Sequence, residues 1–137
     1  MRRGFSLIEL LIIIVIMGIL GVIVLPMFQT AADDAREAAL AQNLCAMRKF
    51  LATYRSSFNG AYPKTKEELR EAVGVLPKNP YTGGRAVRII QNLGEASPNE
   101  AENEGAEKIG WIYHPQSGTI IPNNEGFGSD GRPLTQM

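Results

Sequence analysis

From Phe5 to Phe28 almost every residue is apolar, and Glu9 is the one charge inside the run. A soluble helix keeps a polar side, so a helix that is apolar all round needs a membrane or a bundle of similar helices about it. The run Phe5–Leu25 matches the length of about 20 helical residues that crosses the hydrocarbon core of a bilayer. From Asp33 the pattern changes. Leu40, Leu44, Met47, Leu51, Tyr54 and Phe58 recur at alternating spacings of four and three, which is one stripe along a helix. Arg36, Glu37, Gln42, Arg48, Lys49 and Arg55 occupy the other side. No helix breaker stands between Gln29 and Ser57. The simplest prediction is one helix running from the apolar segment to about Phe58 and stopped by Asn59-Gly60. Cys45 lies beside the stripe and is expected to be a small buried apolar residue.

Beyond Gly60 the signals are shorter. Tyr62-Pro63 reads as extended or a turn. Thr65-Lys66-Glu67-Glu68 is a capping box, opening a short helix to about Val73 with Gly74 as its stop. Leu76 to Gly84 is rich in turn residues. Ala86–Ile90 is a short strand. The acidic stretch Gly94–Lys108 reads as a flexible surface loop. Gly110–His114 and Thr119–Pro122 flank Pro115-Gln116-Ser117-Gly118, the pattern of a β-hairpin. The tail from Asn123 is rich in Gly and Asn and is expected to be irregular. The predicted class is therefore α+β: one long N-terminal helix packed on a small antiparallel sheet, whose apolar side covers the stripe.

Charge and residue counts exclude more than they suggest. The 14 basic and 14 acidic residues balance, and loss of Arg2 and Arg3 by processing would leave the chain slightly acidic. No basic block stands outside the extreme N-terminus, so a nucleic-acid partner is not expected. With Cys45 the single cysteine and His114 the single histidine, no internal disulfide, cysteine metal cluster or obvious catalytic triad can form. The chain does not read as an enzyme.

Arg2 and Arg3 precede the apolar run, and Asp33 and Asp34 are the first charges after it. The positive-inside rule puts the N-terminus in the cytoplasm and the bulk of a single-pass protein outside the inner membrane. A secretory signal would have a shorter apolar region, about 7–15 residues, and Thr30-Ala31-Ala32 is only a weak cleavage site for one. Glu9 is the informative residue. A carboxylate in a membrane helix costs about 2.5–3.5 kcal/mol at the centre, less toward an end, and calls for a partner. It could sit near the interface, hydrated or protonated. Alternatively, a cut between Gly4 and Phe5 would give Phe5 a free amine, cationic at neutral pH. Phe5 and Glu9 are four apart, so they could pair within one chain. Pairing with a neighbouring chain would in addition set the register between copies. Gly18, Gly21 and Pro26 predict a kink or local unwinding around Met17–Val22.

Arg3-Gly4-Phe5-Ser6-Leu7-Ile8-Glu9 resembles the class III signal of type IV prepilins, although the family more often has Thr where Ser6 stands. The resemblance implies that a prepilin peptidase cuts after Gly4, that Phe5 is N-methylated, and that Glu9 guides assembly. It also implies that the helix loosens around Pro26 inside a filament. The stretch Leu76–Gly83 followed by Gly110-Trp111-Ile112-Tyr113 resembles the major pseudopilin of type II secretion and its pilin relatives. The organisation this implies is a leader at 1–4, a transmembrane and filament-core helix at 5–28, and a periplasmic or extracellular pilin-like domain at 29–137. The expected function is a structural filament subunit, of a type II secretion pseudopilus or a type IV pilus. Its partners would be other pilin-like subunits, an inner-membrane assembly platform, and membrane lipid before assembly. The alternative is a minor pilin at a filament tip that binds a ligand or DNA. Members of the pseudopilin subfamily also hold calcium near the C-terminus. Here Glu125 and Asp130, with carbonyls, are the candidate ligands, and plain turn residues are the alternative.

Overall fold

The computed structural model describes residues 5–98, 102–129 and 131–137. The chain divides into two compact units, Met1–Ala35 and Arg36–Met137. Helix α1, Leu7–Ser57, contributes to both.

In the first unit the residues 5–25 and 27–35 are exposed, save the partly covered Gly21. Ile12, Val15, Ile19, Leu25 and Phe28 are all at least half uncovered. At Met17–Val22, where a kink or local unwinding is expected, α1 is assigned as helix, as it is through Pro26. Pro26 withholds one N–H, from the carbonyl of Val22, and the bonds on either side suffice to carry the helix past it.

In the second unit the stripe does what its spacing predicts. Leu40, Leu44, Met47 and Leu51 are at most 1% exposed and join Leu69, Trp111, Tyr113, Ile120 and Leu134 in one core. The stripe ends early. Tyr54 is half-buried, and Phe58 stacks on it with centroids 4.2 Å apart instead of entering the core. Cys45 is exposed, contrary to expectation. It follows Leu44, and one residue turns a helix by about 100°, which carries the thiol off the buried face.

Asn59 (φ 51°) and Gly60 (φ 85°) end α1 in left-handed conformations. Helix α2, Lys66–Val73, starts at Thr65, whose side chain accepts the N–H of Glu68. Glu68 reaches back to the N–H of Lys64 at 2.7 Å, one residue earlier than a reciprocal box requires. Four strands follow: β1 Ala86–Ile89, β2 Asn103–Glu104, β3 Glu107–His114 and β4 Thr119–Pro122. Strand β3 pairs with each of the others. The β3–β4 hairpin is antiparallel as predicted, with His114 opposite Thr119, and β2 pairs antiparallel with the start of β3. β1 runs parallel to β3, Val87 beside Trp111 and Ile89 beside Tyr113, so the sheet is mixed and not purely antiparallel. A parallel pair needs a long crossover, and the stretch from Ile90 to Ala106 supplies one.

That crossover is the acidic stretch, and it is not the free loop expected. It contains the 3-10 turn Leu93–Glu95 and strand β2. Arg88 pairs with Glu102 at 2.9 Å and donates to the carbonyl of Ser97, and Lys66 pairs with Glu104. The turn-rich segment before β1 is equally tied down. Asn79 is fully buried. Its amide nitrogen donates to Gly110 O and Asn124 Oδ1, and its oxygen accepts the N–H of Tyr81. Asn123, also fully buried, donates to Ile109 O. Gly84 and Gly110 lie backbone to backbone. A Cβ on either would come within 2.2 Å of a main-chain oxygen, Lys108 O or Gly84 O respectively.

Candidate functional site

The N-terminal segment carries the candidate site. Gly4 and the leader lie outside the described residues. Phe5 is 75% exposed, and α1 begins two residues later. Ser6 stands at the cap position. Its carbonyl accepts the N–H of Leu10 at 3.2 Å, and its own N–H donates to Glu9 Oε2 at 3.0 Å. This is half of a capping box, in which a carboxylate at the third helical position satisfies an orphan amide. The Ser6-x-x-Glu9 spacing is readable in the sequence, as it is at Thr65-x-x-Glu68, but the cost of a carboxylate among apolar residues points to a charge partner first. An ionised carboxylate offers about four lone-pair sites, so the bond to Ser6 leaves Glu9 able to accept a second donor. Around it, α1 is long and apolar enough to cross a membrane, and none of that span is buried within the chain.

The other sites weighed from sequence fall elsewhere. His114 is buried in the hairpin, with Nδ1 2.7 Å from Ser117 Oγ and Nε2 2.9 Å from Gln91 O. Ser117 also donates its N–H to Nδ1. Ser117 lies in the β3–β4 turn and Gln91 just after β1, so the imidazole ties the hairpin to the end of its neighbouring strand, a structural use of a serine–histidine contact. Tyr113 is buried, its hydroxyl donating to Pro63 O at 3.0 Å. Burial, reinforced by the nearby Tyr62, Tyr54 and Glu68, holds its phenol well above the ordinary tyrosine range. For calcium, Glu125 is exposed and Asp130 lies outside the described residues. Among the described residues no group of three or more metal-ligating side chains gathers, whereas calcium takes about six to eight oxygens.

Two contacts of the C-terminal segment carried no sequence signal. Glu37 accepts the N–H of Ser129, and Arg48 donates to the main-chain oxygen of Met137.

An exposed apolar helix, capped by a carboxylate near its start and continued into a small α+β unit, is the fold of pilins. Residues 1–25 match the prokaryotic N-terminal methylation motif. The type II secretion system core protein G of Klebsiella pneumoniae is 30% identical over 96 residues, 66% of this chain and 68% of that one. The chain belongs to this core protein G, or major pseudopilin, family. The Pseudomonas aeruginosa relative is 34% identical over 79 residues, 58% of this chain and 55% of its own. That of Dickeya chrysanthemi is 32% identical over 81 residues, 59% and 50%. The match thus spans about half the length of these last two. No solved structure matches the chain.

Proposed function

We propose that the protein is a structural subunit of a type II secretion pseudopilus, assembling through its N-terminal apolar helix. The observation that carries this is the uncovered apolar surface of α1 from Leu7 onward, set in a methylation-motif segment of a core protein G relative. A membrane lipid environment covers that surface before assembly, and the helices of like subunits cover it afterwards. Family membership favours this reading over a ligand- or DNA-binding minor pilin.

A prepilin peptidase removes the segment ending at Gly4, and Phe5 becomes the methylated N-terminus. The helix enters the inner membrane with that end cytoplasmic and the Arg36–Met137 unit outside, where an assembly platform takes it up. Glu9 keeps the N–H of Ser6 and accepts the Phe5 amine of the next subunit. In apolar surroundings only a charge partner offsets the desolvation of a carboxylate, so this pair selects one axial offset. Repetition of one head-to-tail contact gives an open filament. Pro26, one backbone bond short, marks where α1 can loosen within it.

The test is deletion of the gene in its own host. The expected result is that secreted enzymes accumulate in the periplasm while surface pili persist. Loss of pili with normal secretion would overturn the proposal. In wild type, mass spectrometry of the subunit should show a methylated Phe5 terminus. Gly4→Leu should leave nearly all of it as precursor carrying Arg2 and Arg3, whereas an unchanged mature fraction would contradict cleavage at this site.

A further inference from the structure

The Arg36–Met137 unit presents two uncovered aromatic features. Phe50 and Phe58 are 48% and 51% exposed, and Tyr54 lies between them on the same side of α1, stacked on Phe58. These three, with Ser57 and with Glu71 and Ala72 of α2, line a depression of about 240 Å³. That is below the ~300–1,000 Å³ of small-molecule pockets, and it suits a single side chain. The second feature is Phe127, 73% exposed. The backbone on either side of it is braced. The carbonyl of Gly126 accepts the N–H of Leu134 at 3.1 Å, Gly128 donates to Arg132 O at 2.8 Å, and Phe127 itself bridges Pro133. Leu134, 1% exposed, anchors this segment in the core. The Phe127 ring is thus held outward on a fixed backbone, so little ordering remains to be done on docking.

The two features are staggered along α1. Glu37 accepts the Ser129 N–H at 2.7 Å, which sets the Phe127 segment beside the first turn of α1 in this unit. Phe50 and Phe58 lie about 20–30 Å further along the helix at 1.5 Å per residue. A patch that meets a different patch on the next copy makes a head-to-tail contact, and such a contact continues as a filament where the rotation does not close. We infer that the Phe50–Tyr54–Phe58 depression receives Phe127 of a second copy, displaced along the helix direction by about the stagger of the two features. Buried aromatic side chains seated in pockets are the common anchors of protein interfaces. The chain is a filament subunit by family, which makes another copy the occupant. The contact also carries the assembly surface of α1 onward from its apolar half to the outer unit. The inference rests on the filament reading and adds to it a contact outside the apolar half of the helix.

Crosslinking of sheared filaments of the full chain tests this with the aromatic residues in place. Cys45→Ser removes the exposed thiol. Ser57→Cys at the depression and Glu125→Cys near Phe127 then put one thiol on each feature. A short bismaleimide should join them into a ladder of dimers, trimers and higher multimers, and neither cysteine alone should give one. Separately, Phe127→Ala and Phe50→Ala should each lower filament yield about tenfold, the scale of an aromatic interface anchor. The melt and the membrane level of both should stay at wild type, and Phe127→Leu should keep most of the yield. Filaments that form normally but give no ladder would overturn the inference and leave the filament reading intact. A dimer from Ser57→Cys alone would mean that two depressions face each other, and a crosslink to a different protein would mean that another partner fills the site. Either result overturns the inference, as would full yield in Phe127→Ala. A wild type that makes no filaments would overturn the filament reading and this contact with it.

Discussion

Helix α1 meets two different demands along its length. Between Leu7 and Leu25 it is apolar nearly all round, and apart from the partly covered Gly21 these residues are exposed among the described ones. Between Arg36 and Ser57 it is apolar on one stripe, and the small α+β unit covers four residues of that stripe almost completely. The same contrast appears in two caps of one type. Glu68 sits in a water-facing box at the start of α2, where its bond to Lys64 is one of many local contacts. Glu9 makes the matching bond to Ser6 at the head of an apolar run, where any oxygen left without a donor is costly once water is removed. Spacing alone does not distinguish the two boxes. Their surroundings do: one box lies in the folded α+β unit and the other at the head of an exposed apolar run.

If the two regions bury their apolar residues against different things, one substitution should act oppositely in each. Leu44→Asp places an unpaired carboxylate in the core and should cost about 4 kcal/mol or more, enough to unfold the Arg36–Met137 unit. Ile13→Asp should leave the melting of that unit unchanged. It should instead weaken membrane retention, since a mid-helix Asp costs about 2.5–3.5 kcal/mol to insert. Circular dichroism melts and membrane fractionation of both variants check this. A wild-type melt for Leu44→Asp would mean that the stripe is not the core face.

Glycine sharpens the contrast at smaller scale. Nothing lies within 4 Å of a Cβ on Gly18, while one on Gly110 would sit 2.2 Å from Gly84 O. Gly110→Ala should lower stability by about 1–3 kcal/mol through forced backbone shifts, and Gly18→Ala should leave the melt unchanged. Smaller still is Tyr113→Phe, which removes one buried hydrogen bond worth about 1 kcal/mol. Because the folded state holds this phenol above the tyrosine range, its contribution is complete below the unfolded value of about 10 and declines as pH rises beyond it. Tyr113→Phe should therefore flatten the alkaline limb of the stability profile. An identical limb in both proteins would contradict the burial of that hydroxyl.

The features legible in the sequence are local ones. The α1 stripe, the Thr65 cap, the Gly74 stop and the β3–β4 hairpin each depend on residues a few positions apart. The parallel pairing of β1 with β3 is not legible, because two short apolar runs carry no direction and the crossover between them is polar. Asn79 and Asn123 read as turn residues, yet both are fully buried and bonded to β3 carbonyls. The C-terminal segment looks irregular because its anchors, Glu37 and Arg48, lie far back in α1 and resemble any solvated helix charges. In the candidate site, Glu9 stands out by its chemistry alone. The motif supplies its expected partner, Phe5, and the structure adds the bond to Ser6.

If Glu9 sets register between subunits, filament yield at matched membrane levels should depend on its charge, and that yield is the most direct test. Glu9→Gln keeps the shape and removes the charge, while Glu9→Ala removes both and eases insertion. Both variants should be cleaved, reach the membrane and keep the Arg36–Met137 unit folded. Sheared fractions should nevertheless contain few or no filaments, and the variants should enter wild-type filaments poorly. Assembly of Glu9→Ala at the wild-type level would contradict a register role for Glu9 and leave apolar packing of α1 alone to set the offset.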